Sequence, residues 1–154
     1  MDVFYYDFTS PAAYLIAEEM VQAEWVPVRA NAFDQPPPTL DGFAERIAAT
    51  HLQPFKAPSP FPFESELVLR AATYAMTIGK VVAFTLAAFR QAYAGGRPLD
   101  DPDNIVIAGA ACEIHPRALL QAMEREPIAA RLDESTTLAR ERVATVPSIW
   151  TPDR

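Results

Sequence analysis

The stretch Val3-Phe4-Tyr5-Tyr6-Asp7-Phe8-Thr9-Ser10-Pro11-Ala12-Ala13-Tyr14-Leu15 combines two different local preferences in a short span. Aromatic and β-branched residues dominate its first half, which predicts a buried strand from about Asp2 to Phe8. Ser10-Pro11 then combines a hydroxyl N-cap with a proline at the first helical position, a favoured helix start. The stretch therefore predicts a strand that turns directly into a helix, with Ser10 at the helix N-terminus and the helix ending near Ala23.

Four further segments follow before the helical part of the chain. Trp25 to Ala30 predicts a second strand, parallel to the first because a helix joins them. Asp34 to Pro38 is a stiff proline-rich crossing, and Asp41 to His51 predicts a short helix. Gln53 to Phe63 is rich in proline and phenylalanine. It is either an extended connector with its phenylalanines in the core or a lid over a ligand pocket.

From Glu64 onward the apolar spacing and the caps predict a long block of helices. A last strand, Val146 to Trp150, follows this block. A βαβ unit separated from its remaining strand in this way predicts an α/β domain with a large helical insertion. The predicted division is 1–38 and 127–154 for the α/β part and 39–126 for the insertion. The predicted helices run over Glu64–Ile78, Lys80–Ala94, Asp101–Ala111, His115–Arg125 and Pro127–Val143.

Composition excludes several classes of function. The chain has 154 residues, enough for one core, and a formal net charge of −7 without a cluster of Lys or Arg. Nucleic-acid binding needs such positive charge, so we expect no nucleic acid as partner. The longest apolar run, Val81 to Phe89, is far shorter than the ~20 residues of a membrane span. The chain enters its first strand without a signal-peptide pattern, which favours a cytoplasmic location.

Cys112 is the only cysteine. No intramolecular disulfide can form, which excludes an oxidoreductase that uses its own pair of thiols. The spacing Cys112-x-x-His115 is compatible with metal ligands, but zinc takes three or four and the only other histidine is His51. We therefore expect no metal site and interpret Cys112 as a small hydrophobic residue.

Four motifs in the right order resemble the DsbA-like branch of thioredoxin-fold proteins that contains the 2-hydroxychromene-2-carboxylate isomerases and the kappa-class glutathione transferases. The resemblance spans nearly the whole chain and implies a thioredoxin-like domain with a helical insertion. It also places Ser10 and Ala13 where a redox Cys-x-x-Cys would lie. The motifs are Phe4-Tyr5-Tyr6-Asp7-Phe8-Thr9-Ser10-Pro11 with Tyr14-Leu15, Phe61-Pro62-Phe63-Glu64-Ser65, Phe89-Arg90-Gln91-Ala92-Tyr93 with Gly96-Arg97, and Val146-Pro147-Ser148.

This resemblance implies glutathione as cosubstrate and a small unsaturated aromatic compound as substrate. It implies a cis peptide bond before Pro147 and a homodimer as one form of assembly. Glu64 stands where the family carries asparagine. The implied glutathione contacts are Ser10, Glu64, Ser65, Val146 and Pro147, and the expected substrate pocket is formed by Phe4, Tyr14, Phe55 and Phe61.

The chemistry expected of Ser10 is stabilisation of a thiolate. A helix N-terminus and a hydroxyl donor both favour an anion, and the thiolate is the reactive form of a thiol. Serine itself has no neighbouring base to activate it as a nucleophile. The alternative is that Ser10 only caps its helix. Asp7 has a similar pair of interpretations, since it either tunes the thiolate or caps the turn.

Family members continue beyond the Val-Pro strand, so we expect a sheet truncated at its C-terminal edge, where Asp153-Arg154 resembles part of a glutathione-contacting turn. The leading functional hypothesis is a glutathione-dependent isomerase or transferase. Two alternatives stay open. One is a DsbA-like thiol-disulfide oxidoreductase relative without its own dithiol, and the other is a non-catalytic module that binds peptides or a partner subunit through its sheet edge.

Overall fold

A computed structural model describes residues 1–152, so the resemblance of Asp153-Arg154 to a glutathione-contacting turn lies outside the described residues. The chain forms a small sheet surrounded by helices, with a single turn of 3₁₀ helix at Ala30–Ala32. The order of elements agrees with the predicted β-α-β unit, helical block and returning strand. The elements are β1 (Val3–Tyr6), α1 (Pro11–Glu18), β2 (Glu24–Pro27), α2 (Phe43–Ala48), α3 (Glu66–Thr77), α4 (Val81–Tyr93), α5 (Pro102–Ala111), α6 (Pro116–Met123), α7 (Glu126–Arg142) and β3 (Ser148–Trp150).

The sheet has the strand order β2-β1-β3. β1 and β2 are parallel, with Phe4 opposite Trp25, as predicted from the helix that joins them. β3 returns antiparallel to β1 and places Ile149 opposite Phe4. The first and last parts of the chain therefore meet in the sheet. This pairing brings the turn between β1 and α1 (residues 7–10, the Ser10 turn) close to the Val146-Pro147 segment.

β1 is buried on both of its faces. Phe4 and Tyr6 point into the main core formed with α1, α3 and α4. Val3 and Tyr5 point to the opposite face, where they pack in a second cluster with Ala139 of α7. Alternating residues of a strand face opposite sides, so the unbroken aromatic run corresponds to a central strand covered by helices on both faces.

Three helices begin with the side-chain caps that the sequence indicates. Ser10 Oγ accepts from the Ala13 N–H (3.1 Å) and Asp101 Oδ1 accepts from the Asp103 N–H (2.9 Å). His115 Nδ1 accepts from the Arg117 N–H at 3.1 Å and so caps α6. His115 therefore has a structural role in this cap. Across residues 1–152 no group of three or more His, Cys, Asp or Glu side chains lies close enough together to hold a metal ion.

α1 ends at Glu18, earlier than the predicted end near Ala23. The reason is local: Met20 adopts a left-handed conformation (φ 53°), and its N–H donates to the Ala17 carbonyl at 2.9 Å. A left-handed residue closes a helix by satisfying its last carbonyls.

An ion-pair network holds the end of β2 against α3 and α7. Arg29 donates to both carboxylate oxygens of Glu66 (2.7 and 2.8 Å) and to Asp133, and Arg70 donates to Glu66 (2.8 Å). The Arg29 guanidinium lowers the pKa of Glu66 to about 2. The network is half-buried, and it fixes the chain where it leaves the sheet toward the 3₁₀ turn.

The Gln53 to Phe63 segment carries its aromatic side chains into the core, as the connector interpretation predicts. Phe63 is buried, and Phe55 packs edge-on against Phe43 with ring centroids 4.9 Å apart. The end of the segment also borders a cavity described below. None of the helices within residues 1–152 has the length and hydropathy needed to cross a bilayer.

Candidate functional site

The N-terminus of α1 is the chemical centre of the candidate site. Pro11 has no N–H, the Ala13 N–H donates to Ser10 Oγ, and the Tyr14 N–H donates to the Ser10 carbonyl. The Ala12 N–H has no partner among the described residues. Ser10 Oγ acts as an acceptor in its cap, so its hydroxyl hydrogen is left to donate. One amide and one hydroxyl therefore point out of a helix N-terminus, an arrangement that favours an anion.

Asp7, three residues before Ser10, is buried to 3% exposure. Its Oδ2 accepts from the Ala30 N–H at 2.8 Å, so it joins the Ser10 turn to the 3₁₀ turn after β2. Its Oδ1 has no hydrogen-bond partner among residues 1–152. Burial raises the pKa of Asp7, and the Ala30 N–H lowers it in part. The neighbouring Ser65 hydroxyl also lowers the pKa of Asp7.

We expect Asp7 to make the protein less stable as the pH rises. Its pKa is higher in the folded than in the unfolded state, so its contribution is complete below the unfolded pKa and is lost as the pH rises through the folded pKa. In that window the free energy of unfolding should fall by up to about 1.4 kcal/mol per pH unit. Asp7→Asn keeps an oxygen for Ala30 and cannot ionise, so urea denaturation at several pH values should show a flatter profile.

The control for this prediction is the exposed carboxylate Asp34, whose replacement in Asp34→Asn should leave the pH profile of the wild type in place. A wild-type profile and an Asp7→Asn profile that run parallel would show that Asp7 has no raised pKa in the folded protein.

Val146 and Pro147 lie beside the Ser10 turn. The Val146-Pro147 peptide bond is cis, as predicted from the resemblance. The backbone of Val146 pairs with the side chain of Gln35: the Val146 N–H donates to Oε1 (2.9 Å), and Nε2 donates to the Val146 carbonyl (3.1 Å). A side-chain amide therefore occupies both backbone groups of Val146.

Two cavities meet at this site and share Asp7, Thr9, Ala30, Gln35 and two prolines. The Ser10 cavity, of about 270 Å³, has Ser10, Ala12, Arg46 and Val146 among its lining residues. The proline cavity, of about 390 Å³, is lined by Phe33, Phe63, four prolines (Pro36, Pro37, Pro38 and Pro62) and polar residues that include Asn31, Glu64 and Ser65. Each cavity combines apolar surface with polar groups, which is the usual make-up of a small-molecule site.

The structure brings most of the predicted glutathione contacts together. Ser10 and Val146 line the Ser10 cavity, and Glu64 and Ser65 line the adjoining proline cavity. Glu64 is exposed at the start of α3 and accepts from the Glu66 N–H at 3.3 Å, whereas Ser65 is buried. The carboxylate that stands in place of the family's asparagine thus lies at the mouth of the proline cavity.

The predicted aromatic pocket residues are distributed differently. Phe4 and Tyr14 lie in the main core, at 0% and 1% exposure, and line neither cavity. Phe55 borders a separate cavity beside α2, and Phe61 packs against Phe63 and Tyr93. The aromatic rings that face the proline cavity are those of Phe33 and Phe63.

Comparison with known proteins finds likeness only among solved structures. No protein-family model matches the chain, and no curated protein matches it. A 2-hydroxychromene-2-carboxylate isomerase superposes with a TM-score of 0.81 at 18% identity, over 99% of this chain and 86% of that one. A putative protein disulfide isomerase from Nitrosomonas europaea has a TM-score of 0.70 at 15% identity, over 96% of this chain and 82% of that one.

A cytosolic disulfide reductase, DsbM from Pseudomonas aeruginosa, solved with GSH, has a TM-score of 0.65 at 20% identity and covers 99% of this chain and 86% of its own. These superpositions span nearly the whole chain and include the helical block. This chain has a DsbA-like thioredoxin fold. The resemblance inferred from the four motifs is confirmed at the level of the fold.

Three residues that line the Ser10 cavity or the proline cavity were not predicted from the sequence: Gln35, Arg46 and Phe33. Gln35 directly precedes three prolines, and no periodic pattern marks such a segment. Arg46 lies on the exposed side of α2, where charged residues are ordinarily only solvated. These positions acquire a role only because the proline-rich crossing and α2 fold back over the Ser10 turn.

Proposed function

We propose that this protein is a glutathione-dependent isomerase or transferase that acts on a small unsaturated aromatic compound. The observation that carries the proposal is that Ser10 and Val146, at opposite ends of the chain, line one cavity beside the N-terminus of α1. One side of that cavity offers donors for a thiolate, and the other is formed by Val146, whose backbone groups pair with the Gln35 side chain.

The role of Ser10 is to hold the sulfur of glutathione as a thiolate. Ser10 and Ala12 line the same cavity, so the Ser10 hydroxyl and the Ala12 N–H are the donors available to the sulfur, and the helix N-terminus adds a partial positive charge. A lower pKa of the bound thiol raises the fraction present as thiolate at neutral pH. Arg46 lines the same cavity and offers a cation to a carboxylate of glutathione.

The proline cavity supplies the binding site for the aromatic substrate. Its volume of about 390 Å³ suits a compound with one or two rings, and the largely buried Phe33 and Phe63 contribute apolar lining beside which such a ring can pack. The two cavities adjoin at Asp7 and Thr9, so a substrate there lies next to the thiolate position. Glutathione, when bound, supplies a thiolate that adds reversibly to an electron-poor double bond and leaves unchanged after the substrate has rotated.

The proposal places the reaction in the cytoplasm, where thiols are kept reduced by glutathione. Its support is the likeness to a disulfide reductase described as cytosolic and solved with GSH. With Cys112 as its single cysteine the chain cannot form an intramolecular disulfide, so dithiol–disulfide exchange needs an external thiol, and burial raises the pKa of Cys112 itself. The protein alone should therefore fail to reduce insulin.

The test is calorimetric titration of the whole protein with glutathione. We expect saturable binding with a millimolar or lower Kd, and weaker binding of S-methylglutathione, which cannot form a thiolate. Isomerisation of a Z-configured aryl enone, followed by absorbance, should then require glutathione. No heat at millimolar glutathione, or equal binding of the S-methyl compound, would contradict the proposal.

A second candidate is a module that binds a peptide or a second copy of the chain through the edge of the sheet. The observation that favours it is β3, a short strand at the edge of the sheet of residues 1–152, whose Ile149 is 43% exposed. Light scattering distinguishes the two: a stable dimer together with no glutathione binding supports the module, whereas a glutathione-binding monomer excludes it.

A further inference from the structure

Gln35 imitates a bound peptide at Val146. A strand that pairs with Val146 would accept a hydrogen bond from its N–H and donate one to its carbonyl. The Gln35 side chain makes both contacts, at 2.9 and 3.1 Å. Only one orientation of the amide satisfies both partners, so the positions of Oε1 and Nε2 follow from the hydrogen bonds themselves.

The main chain presents Gln35 in this position with little freedom. The Gln35 N–H donates to the Phe33 carbonyl at 3.1 Å, and Phe33 is anchored in the core at 8% exposure. Pro36, Pro37 and Pro38 restrict the backbone that follows. A side chain held on such a stiff segment loses little additional entropy when it makes its two hydrogen bonds.

Gln35 also lies at the junction of the site, because it lines both the Ser10 cavity and the proline cavity. We propose that the Gln35 amide is an internal competitor that a peptide-type thiol must displace from Val146, so that Gln35 lowers the affinity for peptide-type thiols and not that for simple thiols. This inference rests on the proposed function and adds to it a residue that sets specificity. A ligand with its own peptide groups replaces the two hydrogen bonds that it breaks, whereas a simple thiol leaves Gln35 in place.

The consequence for affinity follows from a two-state equilibrium. When a side chain occupies the site for most of the time, the apparent affinity is reduced by the fraction of molecules in which the site is free. Two net hydrogen bonds of ordinary strength correspond to a free fraction between about 1/5 and about 1/150. Removal of the Gln35 amide should therefore tighten the binding of glutathione about 5- to 150-fold.

The experiment is calorimetric titration of the wild type, Gln35→Ala and Gln35→Glu with glutathione and with 3-mercaptopropionate, which has no peptide group. Gln35→Glu keeps an acceptor for the Val146 N–H and loses the donor to its carbonyl, so we expect an intermediate gain. Gln53→Ala replaces an exposed glutamine beside Pro54, in another proline-rich segment, and serves as the matched control with wild-type affinity. Thermal denaturation of each variant verifies that it is folded.

We expect Gln35→Ala to bind glutathione about 5- to 150-fold more tightly than the wild type and 3-mercaptopropionate with unchanged affinity. Unchanged or weaker glutathione binding by Gln35→Ala, with normal binding by the wild type, would overturn the inference and leave the proposed function intact. Binding by Gln35→Ala alone supports the inference and refutes glutathione as the ligand of the natural chain. Absence of binding by both proteins, or equal tightening for both thiols, would overturn the inference.

Discussion

Ser10→Ala should lower glutathione-dependent turnover about 10- to 100-fold and raise the pKa of the bound thiol by about one to two units. The reason is that the Ser10 oxygen accepts from the Ala13 N–H, which leaves the hydroxyl hydrogen for the proposed thiolate, and a hydrogen bond to an anion is among the stronger ones. Turnover of an aryl enone measures the first effect. The ultraviolet absorbance of the thiolate, followed against pH, measures the second.

The cap and the catalytic donor are separate properties of Ser10, so two matched variants are needed. Ser10→Thr keeps both the hydroxyl and the cap, and should retain most of the activity. Ser10→Ala also loses the cap on the Ala13 N–H, which costs about 1 kcal/mol of stability and is measured by urea denaturation. If Ser10→Ala loses stability while its turnover and its thiol pKa stay at wild-type values, Ser10 only caps the helix.

Phe89→Ala should destabilise the protein by about 3–5 kcal/mol, a large part of the stability of an ordinary domain. Phe89 is fully buried on α4, and its ring contacts a cluster of aromatic rings from β1, the Ser10 turn, α1 and α4. The centroid distances are 6.0 Å to Tyr6, 5.0 Å to Phe8, 5.8 Å to Tyr14 and 6.2 Å to Tyr93. Truncation leaves a cavity that these rings cannot fill, and urea denaturation measures the loss.

This cluster also supports the site, since the Tyr93 hydroxyl donates at 2.6 Å to the carbonyl of Phe8, which lies within the Ser10 turn. Phe89→Leu, which retains most of the volume, should lose less stability and keep glutathione binding. Leu120→Ala removes an apolar side chain that is 42% exposed and should change stability little. A cost below about 1 kcal/mol for Phe89→Ala would show that the cluster is not the centre of the core.

The scaffold was predictable because its signals are local. The cap at Ser10 acts within three residues, and the parallel pairing of β1 with β2 follows from the short helix between them. The unbroken aromatic run of β1 indicated a strand buried on both faces. The end of α1 was misplaced, because the left-handed conformation of Met20 has no signal in a methionine side chain.

The candidate site was predictable only in part. Ser10, Val146, Glu64 and Ser65 came from the family resemblance, and the fold places them around two adjoining cavities. Asp7 illustrates the limit. Its side chain is buried and accepts a hydrogen bond from the Ala30 N–H in the 3₁₀ turn after β2, a contact that the local sequence around Asp7 does not indicate.

By itself, the sequence determined the strand-turn-helix at the start of the chain, the absence of a redox cysteine pair and the order of elements of a DsbA-like fold. Only the tertiary structure decided that Phe33 and Phe63, and not Phe4 and Tyr14, face the proline cavity, and that Gln35 pairs with Val146. The physical reason is range. Caps and strand patterns depend on neighbours a few residues away, whereas cavities and pairings across the chain depend on which face of each element the packing leaves free.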